Sequence, residues 1–212
     1  MKHIFLPLIS LLAFAAVSSC QIGDQNIPDG SVIDNNINLT AGKLSIGDDS
    51  HVKGRIDITA GELRIGENVQ IDKKIEMTAG KVSIGSGSTV KGIDITAGLL
   101  KTDKGTAIEG SIEMTAGKLD LKGTEVEEGI YMNAGKVVLW QGTVIHRGIF
   151  FSDTDLNVNK DEDDEEELSR ITVKKGAVVE GEIRSEDEVE LVVEEGAVIP
   201  DKITGPVKII RY

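Results

Sequence analysis

A three-residue corner, Thr-Ala-Gly, returns along this chain at nearly constant spacing. It stands at Thr40-Ala41-Gly42, Thr59-Ala60-Gly61, Thr78-Ala79-Gly80, Thr96-Ala97-Gly98 and Thr115-Ala116-Gly117, and a sixth copy reads Asn133-Ala134-Gly135. The intervals from Gly42 to Gly61, Gly80, Gly98, Gly117 and Gly135 are almost equal. A fixed period of this length marks a repeat architecture, in which each unit contacts only its neighbours. Each unit also alternates. Ile56 and Ile58 precede one corner, Leu63 and Ile65 follow it, and Val69 and Ile71 form a third short piece after a polar bend. Period-two alternation predicts strand, glycine predicts the bends, and no stretch carries the 3.6-residue apolar period of a helix.

One such unit cannot bury its apolar face, whereas stacked units can. Stacking in register gives three inward columns. They read Leu39, Ile58, Met77, Ile95, Met114, Met132, then Leu44, Leu63, Val82, Leu100, Leu119, Val137, and then Ile46, Ile65, Ile84, Thr102, Leu121, Leu139. The predicted fold is therefore all-β, a parallel β-helix (solenoid) with coils of about 18–20 residues. Parallel crossovers are right-handed in about 98% of sheets, so the helix is predicted to be right-handed. About nine coils at ~4.8 Å each give a length of roughly 40 Å. Aromatic residues make up only 3% of the chain. A globular core leans on them, but narrow aliphatic columns pack without them.

The period extends in both directions. Ile27-Pro28-Asp29-Gly30 precedes Ile46-Gly47-Asp48-Asp49 by one full period, which places the first coil at Ile27 and leaves residues 21–26 as a tether. Val173-Lys174-Lys175-Gly176-Ala177-Val178 returns one coil later as Val193-Glu194-Glu195-Gly196-Ala197-Val198, and the solenoid is read as 27–212. Gly148 and Gly181 lie too far apart for one coil, so an insertion is placed at about 153–169. It holds seven consecutive acids, Asp161 to Glu167. Such a run repels itself and stays solvated.

Residues 1–19 read as a secretory signal peptide, with basic Lys2, an apolar stretch from Ile4 to Val17, and small residues before Cys20. Val17-Ser18-Ser19-Cys20 resembles the bacterial lipobox. That resemblance implies cleavage before Cys20, a diacylglycerol on its sulfur and attachment to a membrane. Gln21 follows, where Asp commonly retains lipoproteins at the inner membrane. By resemblance to that rule, the expected location is the cell envelope, and the outer membrane in a host with two. Cys20 is the only cysteine, so no intrachain disulfide is available. The net charge of −13 argues against nucleic acid as a partner, because binding it needs clustered Lys and Arg.

Ile171-Thr172-Val173-Lys174-Lys175-Gly176-Ala177-Val178-Val179-Glu180-Gly181-Glu182-Ile183 resembles the repeat of the bactofilins, polymer-forming bacterial proteins built on a right-handed β-helix. The segments Ile46 to Gly54 and Ile84 to Gly92 fit the same pattern. The resemblance covers most of 27–203 and implies a homo-oligomer joined through the solenoid ends. The departures are the lipoprotein signal and the Thr-Ala-Gly corner, since familiar bactofilins are cytoplasmic.

Beside the outward Thr column runs Asn38, Asp57, Glu76, Asp94, Glu113, expected to be a solvated acidic face and continued by Tyr131 and Phe150. With Val138 and Trp140 nearby, Tyr131, Trp140 and Phe150 are the candidate contact patch for an envelope protein or a glycan. No catalytic, cofactor or metal residues are assigned. His51 and His146 sit in no motif, and Asp153 to Asn159 lacks the glycine of an EF-hand loop. The expected function is a non-catalytic, lipid-anchored, self-associating scaffold. The alternatives are a monomeric binding module and, more distantly, a hexapeptide-type acyltransferase, whose six-residue period holds from Ile84 to Val90 and fails at Thr96.

Overall fold

A computed structural model describes residues 21–152 and 168–212. The described residues contain no helix, and their parallel strands stack as about nine turns of a right-handed β-helix. Each central coil has one long strand, such as Ile56–Ile65 or Ser111–Leu121, that turns through the glycine corner without leaving its ladder. A third side carries a much shorter strand, such as His51–Val52 or Glu125–Val126.

The predicted columns are the core. Ile58 faces Leu39 and Met77, and Met114 faces Ile95 and Met132. Leu119 sits between Leu100 and Val137 and is fully buried. A further column rises on the short side through Val52, Ile71, Val90, Ile108, Val126, Ile145 and Val179. Burying each Leu, Ile or Val contributes about 1.5–3 kcal/mol relative to exposure. Stability therefore comes from repetition of medium-sized side chains. Outward positions follow the same alternation. Thr59 and Lys118 are exposed, while Asp57, expected to be exposed, is half-buried under Arg55.

Glycine is required at the corner for two reasons. Gly42, Gly61, Gly80, Gly98, Gly117 and Gly135 all have φ between 125° and 158°, backbone that other residues rarely adopt. Each also lies against the coil below, so that a Cβ on Gly61 would sit 1.9 Å from the carbonyl oxygen of Gly42. The repeated Gly is thus an imprint of coil stacking as well as of turning.

Buried hydroxyls hold the bend that leads to the short side. Ser50, Ser88, Thr106, Thr124 and Thr143 are all buried. Ser88 Oγ donates to the Gly66 carbonyl at 2.9 Å, Thr106 Oγ1 to that of Asp103 at 2.7 Å and Thr143 Oγ1 to that of Leu121 at 2.9 Å. Each buried hydroxyl thereby has an acceptor, and the carbonyls of Asp103 and Leu121 also accept from the backbone amides of Thr106 and Trp140. Thr102, the polar member of an aliphatic column, is buried and bonds the Thr124 hydroxyl at 2.5 Å.

One boundary differs from the sequence reading, the start of the solenoid. Gln21–Ile22 and Gln25–Ile27 pair with Ile37–Ile46, so the ladder starts at Gln21 and residues 21–26 belong to the first coil. The period was hidden because Gln21 and Gln25 occupy columns that are aliphatic elsewhere. The inserted coil keeps both its arms. Met132 faces Phe151, and Lys136 faces Arg170, so the insertion replaces the corner that Asn133-Ala134-Gly135 forms one coil below. The acidic run itself lies outside the described residues.

Candidate interaction surfaces

The two ends of the solenoid differ in chemistry. At the N-terminal end, Gln21 stands over Leu39 and Gln25 over Leu44, closing two core columns with half-buried amides. The Gln25 side-chain amide donates to the Gln21 side-chain oxygen, so the polar groups bond across the mouth of the core. Ile22 and Val32 are exposed beside them.

At the C-terminal end three columns finish in aliphatic residues, while the column through Val173 and Val193 ends in Arg211. Ile203 stands over Ile183, Val207 over Val189 and Ile209 over Leu191. No further coil covers them among the described residues. Ile209 is 44% exposed, and Val198 and Tyr212 are exposed at 53% and 78%. An open depression beside Val179, Val198, Ile199 and Pro200 adds to this end. The last strand, Val207–Arg211, pairs only on its Val189–Val193 side among the described residues, so its other edge presents unpaired backbone groups. Charge staples the final coils. Glu190 takes bonds from Arg170 Nε at 3.1 Å and Nη2 at 2.6 Å, and from Lys208 Nζ at 3.3 Å. The Arg170 guanidinium, followed by the Lys208 ammonium, holds the Glu190 carboxyl below the usual range.

The acidic column stacks in register as expected, but its carboxylates Asp57, Glu76, Asp94 and Glu113 are half-buried rather than fully solvated. Lys43, Lys81 and Lys118 stand across the glycine corner from these acids. Arg55 reaches Asp57 at 2.9 Å and Glu76 at 3.2 Å, and Lys74 reaches Glu113 at 3.1 Å. Both cations lie before the corner, on the carboxylates' own face. The Ser111 hydroxyl and then the Lys74 ammonium hold Glu113 low. Asp94 is pushed up by burial and by neighbouring Glu113.

The contact patch divides. Tyr131 and Phe150 stack at 5.0 Å between centroids with an interplanar angle of 13°, one coil apart in the acidic column. Tyr131 is 42% exposed. Trp140 lies beyond the corner at Gly135, just past the end of Gly129–Leu139. Its indole Nε1 donates to Asp120 at 2.6 Å, and the Lys174 ammonium lies 5.6 Å from its ring centre. Two of the three aromatics therefore share a face, and Trp140 belongs to another. Cys20 lies outside the described residues.

Sequence reasoning missed one cluster. Glu125, Glu127, His146 and Glu180 converge on the outside of the short-side ladder. The usable signal was the period itself, because His146 follows Glu127 by one coil. The insertion stretched the next interval, to Glu180, and concealed the column. Comparison with family models, curated proteins and solved structures returned no match for this chain.

Proposed function

We propose that this chain is an exported, non-catalytic β-solenoid scaffold, anchored to a membrane through lipidated Cys20 and self-associating end to end through its C-terminal coil. The observation that supports this most is a difference between the ends: at the first coil glutamine amides close two columns and Ile27 and Ile33 two others, whereas at the last coil Ile209 stands exposed over Leu191. An anchor at Cys20 is followed at once by Gln21, which is already in the ladder, so the lipid lies against the N-terminal coil. The C-terminal end is then the one free to meet another copy. Exposed apolar area and an unpaired strand edge both favour such contact. The bactofilin-like repeat supports the same reading.

Two expected results follow. In the producing cell, Cys20→Ser abolishes incorporation of labelled fatty acid and leaves residues 1–19 attached. Labelling that persists in this variant contradicts the anchor. Ile209→Lys places a charge on the C-terminal apolar surface and weakens association by at least tenfold in sedimentation equilibrium, whereas Tyr131→Ser leaves it unchanged. No association in the parent chain or in either variant favours the second reading, a monomeric binding module that uses the exposed Tyr131–Phe150 stack as its contact face.

A further inference from the structure

We propose that His146, Glu125 and Glu127 form a binding site for a divalent transition metal of the zinc type, with Glu180 holding the imidazole in place. This is independent of end-to-end association. The argument starts from the ladder. Val126 and Ile145 face each other in the core, as do Ile145 and Val179 one coil further on. All three are buried, so their chain neighbours point outward. Glu125 and Glu127 flank Val126, His146 follows Ile145 and Glu180 follows Val179. Stacking therefore fixes the backbone beneath an imidazole that has carboxylates on the coils to either side.

The side chains divide the work between the two ring nitrogens. Nε2 lies 2.9 Å from Glu125 Oε1 and 3.9 Å from Glu127 Oε1. Nδ1 lies 2.7 Å from Glu180 Oε2. The ligand atoms of Glu125, Glu127 and His146 all fall within 4.8 Å of one another. Donors bound to one zinc at about 2.0–2.2 Å stand roughly 3.4 Å apart, a separation bracketed by the two Nε2 distances. Long, exposed Glu side chains need only small rotations to close the rest. A carboxylate on Nδ1 is the outer partner that orients metal-bound histidines and raises their basicity.

Charge points the same way. Among the described residues, Glu125, Glu127 and Glu180 all ion-pair with this one imidazole, whereas Lys or Arg serves Glu113, Glu182, Glu190 and Glu194. Even a charged imidazolium leaves two negative charges in excess at the cluster. One nitrogen and two carboxylates suit zinc and its neighbours in the series, while calcium requires six to eight oxygens and magnesium keeps most of its waters.

The test is calorimetric titration of Zn²⁺ into the purified full chain in non-ionic detergent, with ¹⁵N-histidine spectra alongside. The expected result is one saturable site per chain, with the His146 Nε2 resonance moving on binding and Nδ1 remaining protonated. His146→Gln should weaken binding at least a hundredfold. Glu180→Gln should weaken it about 10–100-fold, as outer-partner losses do. The cluster is on the surface, so both variants should keep the wild-type circular dichroism. Doubly substituted Glu125→Gln, Glu127→Gln, with its histidine intact, should also lose the site. Wild-type affinity in His146→Gln, or only weak, non-saturating binding to the intact chain, overturns the proposal and leaves His146 as an ion-pair partner for its carboxylates.

Discussion

Gly80→Ala is expected to destabilise the solenoid by about 3 kcal/mol or more, combining backbone strain and overcrowding at roughly 1–3 kcal/mol each. The backbone at Gly80 has φ 138°, and an added Cβ would stand 1.9 Å from the carbonyl oxygen of Gly61. Neither strain can relax locally. Moving residue 80 outward breaks its place opposite Gly61 and Gly98, and the same corner recurs on both sides. Gly105 provides the control. It too has positive φ, 77°, but an added Cβ would find its nearest neighbour at 3.6 Å. Gly105→Ala should therefore cost only the backbone strain, about 1 kcal/mol. Shifts of the urea midpoint at constant slope measure both. Equal losses in the two variants would show that coil-to-coil crowding is not what demands glycine at the corner.

Leu119→Ala should cost about 2–5 kcal/mol, the range for a buried leucine whose cavity refills poorly. Leu119 is fully buried midway along its column, with ladders to the coils on either side. A gap there removes contacts from two neighbours at once, and a solenoid can shift no distant layer into it. Thr59→Ser, on the exposed face of the same architecture, should cost under about 1 kcal/mol, a lost methyl without a cavity. A loss below about 1 kcal/mol for Leu119→Ala, or an equal loss in the threonine variant, would contradict the assignment of inward and outward faces, because a slip of one residue exchanges them.

Much of the fold was legible because one period governs both the glycine corners and the apolar alternation. Ile58, Leu63 and Ile65 could be placed inside before any coordinates, and Thr59 outside. What stayed hidden broke the period or depended on contact across coils. Gln21 and Gln25 interrupt two aliphatic columns, so the first coil looked like a tether. The hydroxyls of Ser88, Thr106 and Thr143 read as polar bend residues, although they are buried and bonded to turn carbonyls. Arg55 and Lys74 neutralise acids one to two coils away, which sequence proximity does not reveal. The candidate surfaces were legible in part. Tyr131 and Phe150 could be paired because they stand one coil period apart, but Trp140 was grouped with them by proximity in sequence although the corner at Gly135 separates it. His146 and its carboxylates carry no motif and become a group only through stacking.

Self-association through the C-terminal end is tested most directly by the molar mass of residues 21–212, measured by light scattering across concentration and salt. This span begins with the first paired residue of the ladder and contains the whole described core. The sequence is strongly acidic, so repulsion opposes association at low ionic strength and screening relieves it, with a Debye length falling to a few ångströms near 1 M salt. The account predicts a mass that rises with concentration toward twice that of one chain, and rises further at about 0.5 M salt than at about 0.05 M. A single-chain mass at every concentration into the high micromolar range, at both salts, would contradict it.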